Sequence, residues 1–345
     1  ANLDFDAGAG IGAKGSATLL REGAGRRLKL DIQSRIEGLL QPVAAGIFAG
    51  TTALTGETII GDDGAINLPG LRLSSQLAEL LISGSLDKNK TFDVNILAQA
   101  LANGTNGETR RGDIRIGKLN FKTRARGTFD QPVVEGTFEA LRFATPDGGA
   151  EKTTAVFSVK PAANDTLAIQ ADAEIHGIQS PRKGLAMAAG NLIRATFRAA
   201  VDKQGKVDIA ESRVTAPAYD VTYSGAIDKG KITGLLAGEL KSLAAFSQLA
   251  GRALKGQAQI NADIAGDSKA GTWDIGLRSQ ATGLSMGDAA LNRIAGGALA
   301  MKGRIKTAPK SLTLEKVSLI GRGFEASANG VLGAGTSQGE SQGES

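Results

Sequence analysis

Apolar and polar residues alternate with a period of two along much of the chain, the pattern of strands with one apolar and one wet side. The clearest run is Leu167 to His176. Leu167, Ile169, Ala171, Ala173 and Ile175 fall on one side, and Ala168, Gln170, Asp172, Glu174 and His176 on the other. Phe92, Val94 and Ile96 repeat the pattern, as do Tyr219, Val221 and Tyr223, and then Trp273, Ile275 and Leu277 with Asp274 and Arg278 opposite. Two strands change parity midway. Ile114 and Ile116 give way to Leu119 and Phe121 across Gly117–Lys118, and Leu312 and Leu314 give way to Val317 and Leu319. A tight turn or a β-bulge at each place returns all these side chains to one side.

The strands repeatedly close on one short phrase: Ser83-Gly84-Ser85-Leu86-Asp87, Arg126-Gly127-Thr128-Phe129-Asp130, Ser224-Gly225-Ala226-Ile227-Asp228 and, more weakly, Asn329-Gly330-Val331-Leu332-Gly333. Glycine at that place fits a strand that bends or pairs closely before a turn. The spacing is irregular, so the repeat is degenerate. A second unit predicts short helices closed by glycine over Ser242–Gly251 and Asp288–Gly296, with an older copy at Ile36–Gly46. The predicted fold class is mainly β: an elongated, repeat-built sheet curled into a gutter, with a few short helices. Residues 1–334 read as one such region, of roughly thirty short strands at about ten residues per strand and turn. Residues 335–345 are a polar repeat without apolar content and are expected to be disordered.

Composition narrows the function classes. The 345 residues include 47 glycines spread as turn punctuation, only 8 prolines and 4% aromatics. The net charge of +5 and the scarcity of stacking rings argue against nucleic acid. Cysteine is absent, which removes disulfides and thiolate metal sites. No apolar run reaches the length of a membrane-spanning helix, and Ala1–Gly10 does not read as a signal peptide.

Catalytic chemistry has little to stand on. His176 is the only histidine and sits on the polar side of its strand. Asp62-Asp63-Gly64 lacks the carboxylate spacing of a calcium loop and reads as a turn. Gly8-Ala9-Gly10-Ile11-Gly12 lacks the βαβ setting of a dinucleotide site. Asp87, Asp130 and Asp228 follow the turn phrase, where turn hydrogen bonds explain them. The reading is a protein that is not an enzyme and uses no metal or cofactor. A basic stretch carries Arg110, Arg111, Arg115, Lys118, Lys122, Arg124 and Arg126, opposed by Asp113. Lys122, Arg124 and Arg126 line one strand face. They suit contact with anionic head groups or a partner's acidic patch, or a solvated outer face that blunts edge pairing.

With its strands closing on Ser-Gly-Ser-Leu-Asp, Arg-Gly-Thr-Phe-Asp and Ser-Gly-Ala-Ile-Asp, and its helix-to-strand units at Leu243–Gly256 and Ala290–Gly303, the chain resembles the TamB family (translocation and assembly module, AsmA-like group) of Gram-negative envelopes. The resemblance covers roughly Leu28 to Gly333. It implies an internal periplasmic segment whose inner-membrane anchor lies outside this chain. It also implies a gutter with an apolar interior, phospholipid acyl chains as cargo, transport between the inner and outer membranes, and an outer-membrane β-barrel assembly partner. The candidate lining is Phe92, Val94, Ile96, Phe121, Leu167, Ile169, Val221, Trp273, Ile275 and Leu277, which a closed hydrophobic core would explain equally well. The alternative is a structural β-solenoid such as an adhesin or autotransporter passenger.

Overall fold

The computed structural model describes residues 2–8, 11–35, 50–101, 108–111 and 113–333. The predicted helix at Ile36–Gly46 and the polar tail lie outside these residues. The chain divides into two compact units, Ala1–Ala162 with Ala171–Pro181, and Ala163–Gln170 with Arg182–Ser345.

In the first unit β1 (Asn2–Gly8), β2 (Ile11–Glu22), β3 (Gly25–Arg35), β4 (Thr52–Gly61), β5 (Ile66–Ser74), β6 (Ala78–Leu86) and β7 (Thr91–Ala100) pair antiparallel in chain order. A small hairpin follows, β8 (Thr109–Arg111) with β9 (Ile114–Ile116). The ladder resumes with β10 (Lys118–Thr128) on β7, β11 (Pro132–Thr145) on β10 and β12 (Gly148–Pro161) on β11. Then comes β13 (Leu167–Gln179), whose residues are shared between the two units.

The second unit opens with helix α1 (Lys183–Ala189) and continues as an antiparallel meander. Its strands are β14 (Leu192–Val201), β15 (Val207–Ala216), β16 (Tyr219–Asp228), β17 (Lys231–Leu240), β18 (Lys255–Asp267) and β19 (Thr272–Ser285). Helix α2 (Ala289–Ala295) leads to β20 (Ala298–Ala308), β21 (Ser311–Gly321) and β22 (Glu325–Gly333). Among the described residues β1 pairs only with β2, and β22 only with β21, so neither ladder is closed by its end strand. The fold is mainly β, antiparallel and poor in helix. The 22 strands among the described residues are fewer and longer than expected, most of them 9–14 residues.

The parity change in β21 has a register slip behind it, whereas across Gly117 the register with β11 runs on unshifted. In β21 the register with β20 and β22 slips around Glu315–Lys316, and Lys316 takes a left-handed φ of 48°. That extra residue keeps Leu312, Leu314, Val317 and Leu319 on one face. At Gly117 the strand breaks between β9 and β10, while Arg142 opposite has φ 51° and lays its guanidinium over the glycine. The glycines of the closing phrase allow close pairing. A Cβ on Gly84 would stand 2.1 Å from the Asp93 carbonyl oxygen, and one on Gly225 2.1 Å from that of Thr233.

The helices match the prediction in part. Asp288 caps α2 by accepting from the Leu291 N–H at 2.8 Å, and Gly296 ends it in the left-handed region. Ser242–Gly251 forms only one 3-10 turn, Leu243–Phe246, followed by further turns. Helix α1 has no counterpart among the predicted elements. The closed core is small: the largest completely buried side chain among the described residues is Thr52. Leu243, Leu284 and Ala295 form one compact cluster, where the 3-10 turn and α2 cover the strand ends of the second unit.

Candidate functional site

Strand register decides which side chains share a face, because directly paired residues point the same way. In the first unit Ile32, Leu54, Leu73, Leu80, Ala98, Phe121, Phe138 and Ala155 stand in one continuous row across eight strands. Ile82 and Ile96 pair beside it, and Val94 pairs with Gly84 and Ala125. Phe92, Val94, Ile96 and Phe121 therefore lie on one apolar face, as expected, and all four are partly buried.

The second unit repeats the arrangement. Val221, Gly238, Ile260, Ser279, Met301 and Leu319 are in register, and so are Ile264, Ile275, Ile305 and Leu314. Val221, Trp273, Ile275 and Leu277 thus share a single face. Leu167 and Ile169 occupy alternate positions at the start of β13 and are partly buried.

Within each unit aromatic rings lie down on the apolar face, over glycines of the neighbouring strand. A Cβ on Gly266 would be 2.4 Å from Trp273 Cε3, one on Gly136 2.3 Å from Phe157 Cζ, and one on Gly234 2.6 Å from Tyr223 Cε2. Phe157 also stacks on Phe121, with ring centroids 5.7 Å apart. The rings fill the space left by missing side chains on each face.

The opposite face is charged and laced by cross-strand ion pairs. In the first unit Arg27 meets Glu57 at 3.3 Å, Arg72 meets Glu79 at 3.0 Å, Lys118 meets Glu139 at 2.9 Å and Lys160 meets Glu135 at 2.7 Å. Arg124 donates from Nε to Asp93 at 2.8 Å, a bond that holds the Asp93 carboxyl below its ordinary range. In the second unit Arg213 grips Asp220 at 2.8 Å and Arg304 grips Asp274 at 3.0 Å. Each arginine lowers its partner's pKa through the hydrogen bond first and its charge second, against a desolvation effect. Exposed pairs of this kind add little stability each, but they fix register and keep the face wet.

The three basic residues singled out on β10 are exposed on this charged face. Arg124 is engaged by Asp93, and Arg126 stands 4.0 Å from Glu135. Lys122 points between Leu97 and Thr137 of the flanking strands. His176 lies 3.4 Å from Glu174 on the polar side of β13. Asp87 accepts from the Asn89 and Thr91 N–H groups, and Asp63 from that of Ala65. These carboxylates therefore serve turns, as their place in the sequence indicated. Gly8 and Gly12 lie on the paired antiparallel strands β1 and β2. Among the described residues no group of three acidic or histidine side chains is placed to hold a metal ion.

Several cavities are lined by polar residues. One of about 260 Å³ lies against Gln259, Asn261, Arg278, Gln280 and Lys302 on the charged face of the second unit, and a smaller one of about 190 Å³ adjoins it at Glu239 and Gln257. A third, of about 410 Å³, lies beside Arg115, Arg142 and Glu151 in the first unit. None of these three is lined by any of the ten predicted apolar residues, all of which are partly buried. No family model, no curated protein and no solved structure matches the chain.

Proposed function

We propose that the apolar faces are contact surfaces for lipid acyl chains, and that the protein is a non-catalytic conduit or scaffold carrying phospholipid. One observation carries this reading. Rows of leucine, isoleucine, valine and phenylalanine run across consecutive strands, yet no side chain on them is completely buried. A face of this kind leaves apolar area in water, at about 25 cal/mol for each Å². Acyl chains relieve that cost without needing any specific polar contact. Strands of 9–14 residues are ~30–46 Å long, more than the ~15 Å of half the hydrocarbon core of a bilayer.

The resemblance of the closing phrases to the TamB family is what supports a periplasmic setting. There the cargo would pass between the inner and outer membranes, with a β-barrel of the outer-membrane assembly type as partner. The antiparallel meander differs from the parallel rungs of a β-solenoid, so the adhesin alternative has less to support it.

The test is native mass spectrometry, with lipid extraction, on protein purified from bacterial envelopes without detergent. Phospholipid should co-purify with the wild type and be lost from folded Ile169→Asp and Ile275→Asp variants. A lipid-free wild type, or variants that retain lipid, would overturn the proposal.

A further inference from the structure

We infer that the helix-bearing end of the second unit is a docking surface for an anionic phospholipid bilayer. In an antiparallel meander the connections alternate between the two ends of the strands. One end carries only the short turns at 202–206, 229–230, 268–271 and 309–310. The other carries α1, the 217–218 turn, the long connection at 241–254, the connection holding α2, and the 322–324 turn.

These latter connections touch in sequence along the rim. Gly184 of α1 packs against Leu249, Gly287 against Ala253, and the Arg322 N–H donates to the Ala295 carbonyl at the end of α2. Their inward side chains are sealed, with Leu243 8% exposed and Ala295 1%.

Their outward side chains are not sealed. Leu185 and Met187 on α1 are 44% and 50% exposed, Leu249 47%, and Ile294 on α2 46%. Four large apolar side chains thus project from one rim. At the other end of the strands none of the four turns presents an exposed large apolar residue, and the exposed apolar side chains there are Val331 and Leu332 on the edge strand β22.

Both ends carry an excess of basic residues, and the excess is larger at the helix-bearing rim. At the helix-bearing rim Arg182, Lys241, Arg252, Lys255, Arg293 and Arg322 stand against Asp288 and Glu325, and Asp288 is engaged as the α2 cap. At the turn end Lys203, Lys206, Lys229, Lys231, Lys269 and Lys310 stand against Asp202, Asp228 and Asp267, and Asp202 and Asp267 accept from turn N–H groups while Lys203 pairs with Asp165 and Lys206 with Asp208. Apolar side chains that insert shallowly, ringed by arginine and lysine, match a bilayer interface bearing negative head groups. An acidic protein surface would use the charges but leave the four apolar tips in water. The inference does not depend on what the apolar sheet face carries.

The test is flotation of the whole chain with vesicles of phosphatidylcholine containing about 30% phosphatidylglycerol, compared with phosphatidylcholine alone. Wild-type protein should float with the anionic vesicles and be released at about 0.5 M salt, where the Debye length falls to a few Å. Arg252→Glu with Arg293→Glu should weaken binding at least about tenfold. Leu185→Ser with Leu249→Ser, which leaves charge unchanged, should also weaken it. Lys229→Glu with Lys269→Glu, at the turn end, should not. Folding of each variant is checked by circular dichroism, and Ile275→Asp should bind vesicles like the wild type. Equal binding to neutral vesicles, no binding to either kind, or equal loss in the turn-end variant would overturn the inference. Binding to acidic protein without vesicle binding would do the same.

Discussion

Replacing Gly266 with valine tests how the only tryptophan of the chain packs on the apolar face. The new Cβ would stand 2.4 Å from Trp273 Cε3 and 2.9 Å from the Thr272 carbonyl oxygen. Carbon atoms sit comfortably at about 3.5–4.0 Å, so the ring must move outward by about 1 Å or more. Overpacking of this kind costs about 1–3 kcal/mol. In a unit of this size each kcal/mol lowers Tm by about 2–4 °C, so the expected fall is about 2–12 °C.

Tryptophan fluorescence reads the ring directly. Its emission should move to the red as the ring lifts toward water, while thermal melts followed by circular dichroism report the stability loss. A double-mutant cycle with Trp273→Ala isolates the clash. With the ring gone, valine at 266 should cost less than it does beside tryptophan, leaving the pair coupled. Unchanged emission and Tm in Gly266→Val would refute the reasoning, because the ring could not then be lying on the glycine.

Three further outcomes follow from the same geometry. In lipid-free protein Ile275→Asp should cost about 1–3 kcal/mol, the value of the lost apolar contact, and the cost should stay flat from pH 5 to 8. A sealed dry core would instead raise the folded-state pKa of the new carboxyl, so destabilisation would be least in acid and grow as pH rises; denaturant melts across pH distinguish the two. For Asp220, whose pKa is lowered by Arg213, the linked stability is present above the unfolded value and lost as pH falls through the folded one. Arg213→Met should therefore raise the Asp220 pKa, measured by NMR titration of that carboxyl, and an unmoved titration would rule the pair out as the cause. Asp288→Ala removes the α2 cap and should cost about 1 kcal/mol of stability in thermal melts.

Much of the fold was legible because its signals are local. Period-two alternation located the strands, and the parity slip at Glu315–Lys316 located a backbone irregularity, since only an irregular backbone reconciles it with one apolar face. Asp288 and Gly296 announced α2 through cap chemistry. Less could be read where the deciding contact is remote. The spacing of Leu243, Phe246 and Leu249 predicted a helix, yet the chain there makes a 3-10 turn whose Leu243 is held in a cluster with Leu284 and Ala295. Helix α1 has seven residues, no side-chain cap and two exposed apolar positions, so no amphipathic period revealed it; Pro181 before it and Gly190 after it were the available signs. The basic run on β10 could be weighed only as a cluster, because the Arg124 counter-ion Asp93 lies 31 residues away and three strands earlier in the chain order. Likewise the ten apolar candidates could be named individually, but their union into rows depends on cross-strand register, which single-strand patterns do not encode.

The strictly sequential pairing of β14 to β22 also bears on how such a chain can change in evolution. A hairpin inserted or lost as a pair of strands returns the backbone to the same end with the same sidedness, so every downstream residue keeps its environment. Loss of one strand would exchange the two ends for everything that follows, sending helical connections to the side built for tight turns. Growth by doublets is thus the permitted step, and ladder length is a quantity that duplication can tune without redesigning a single existing contact.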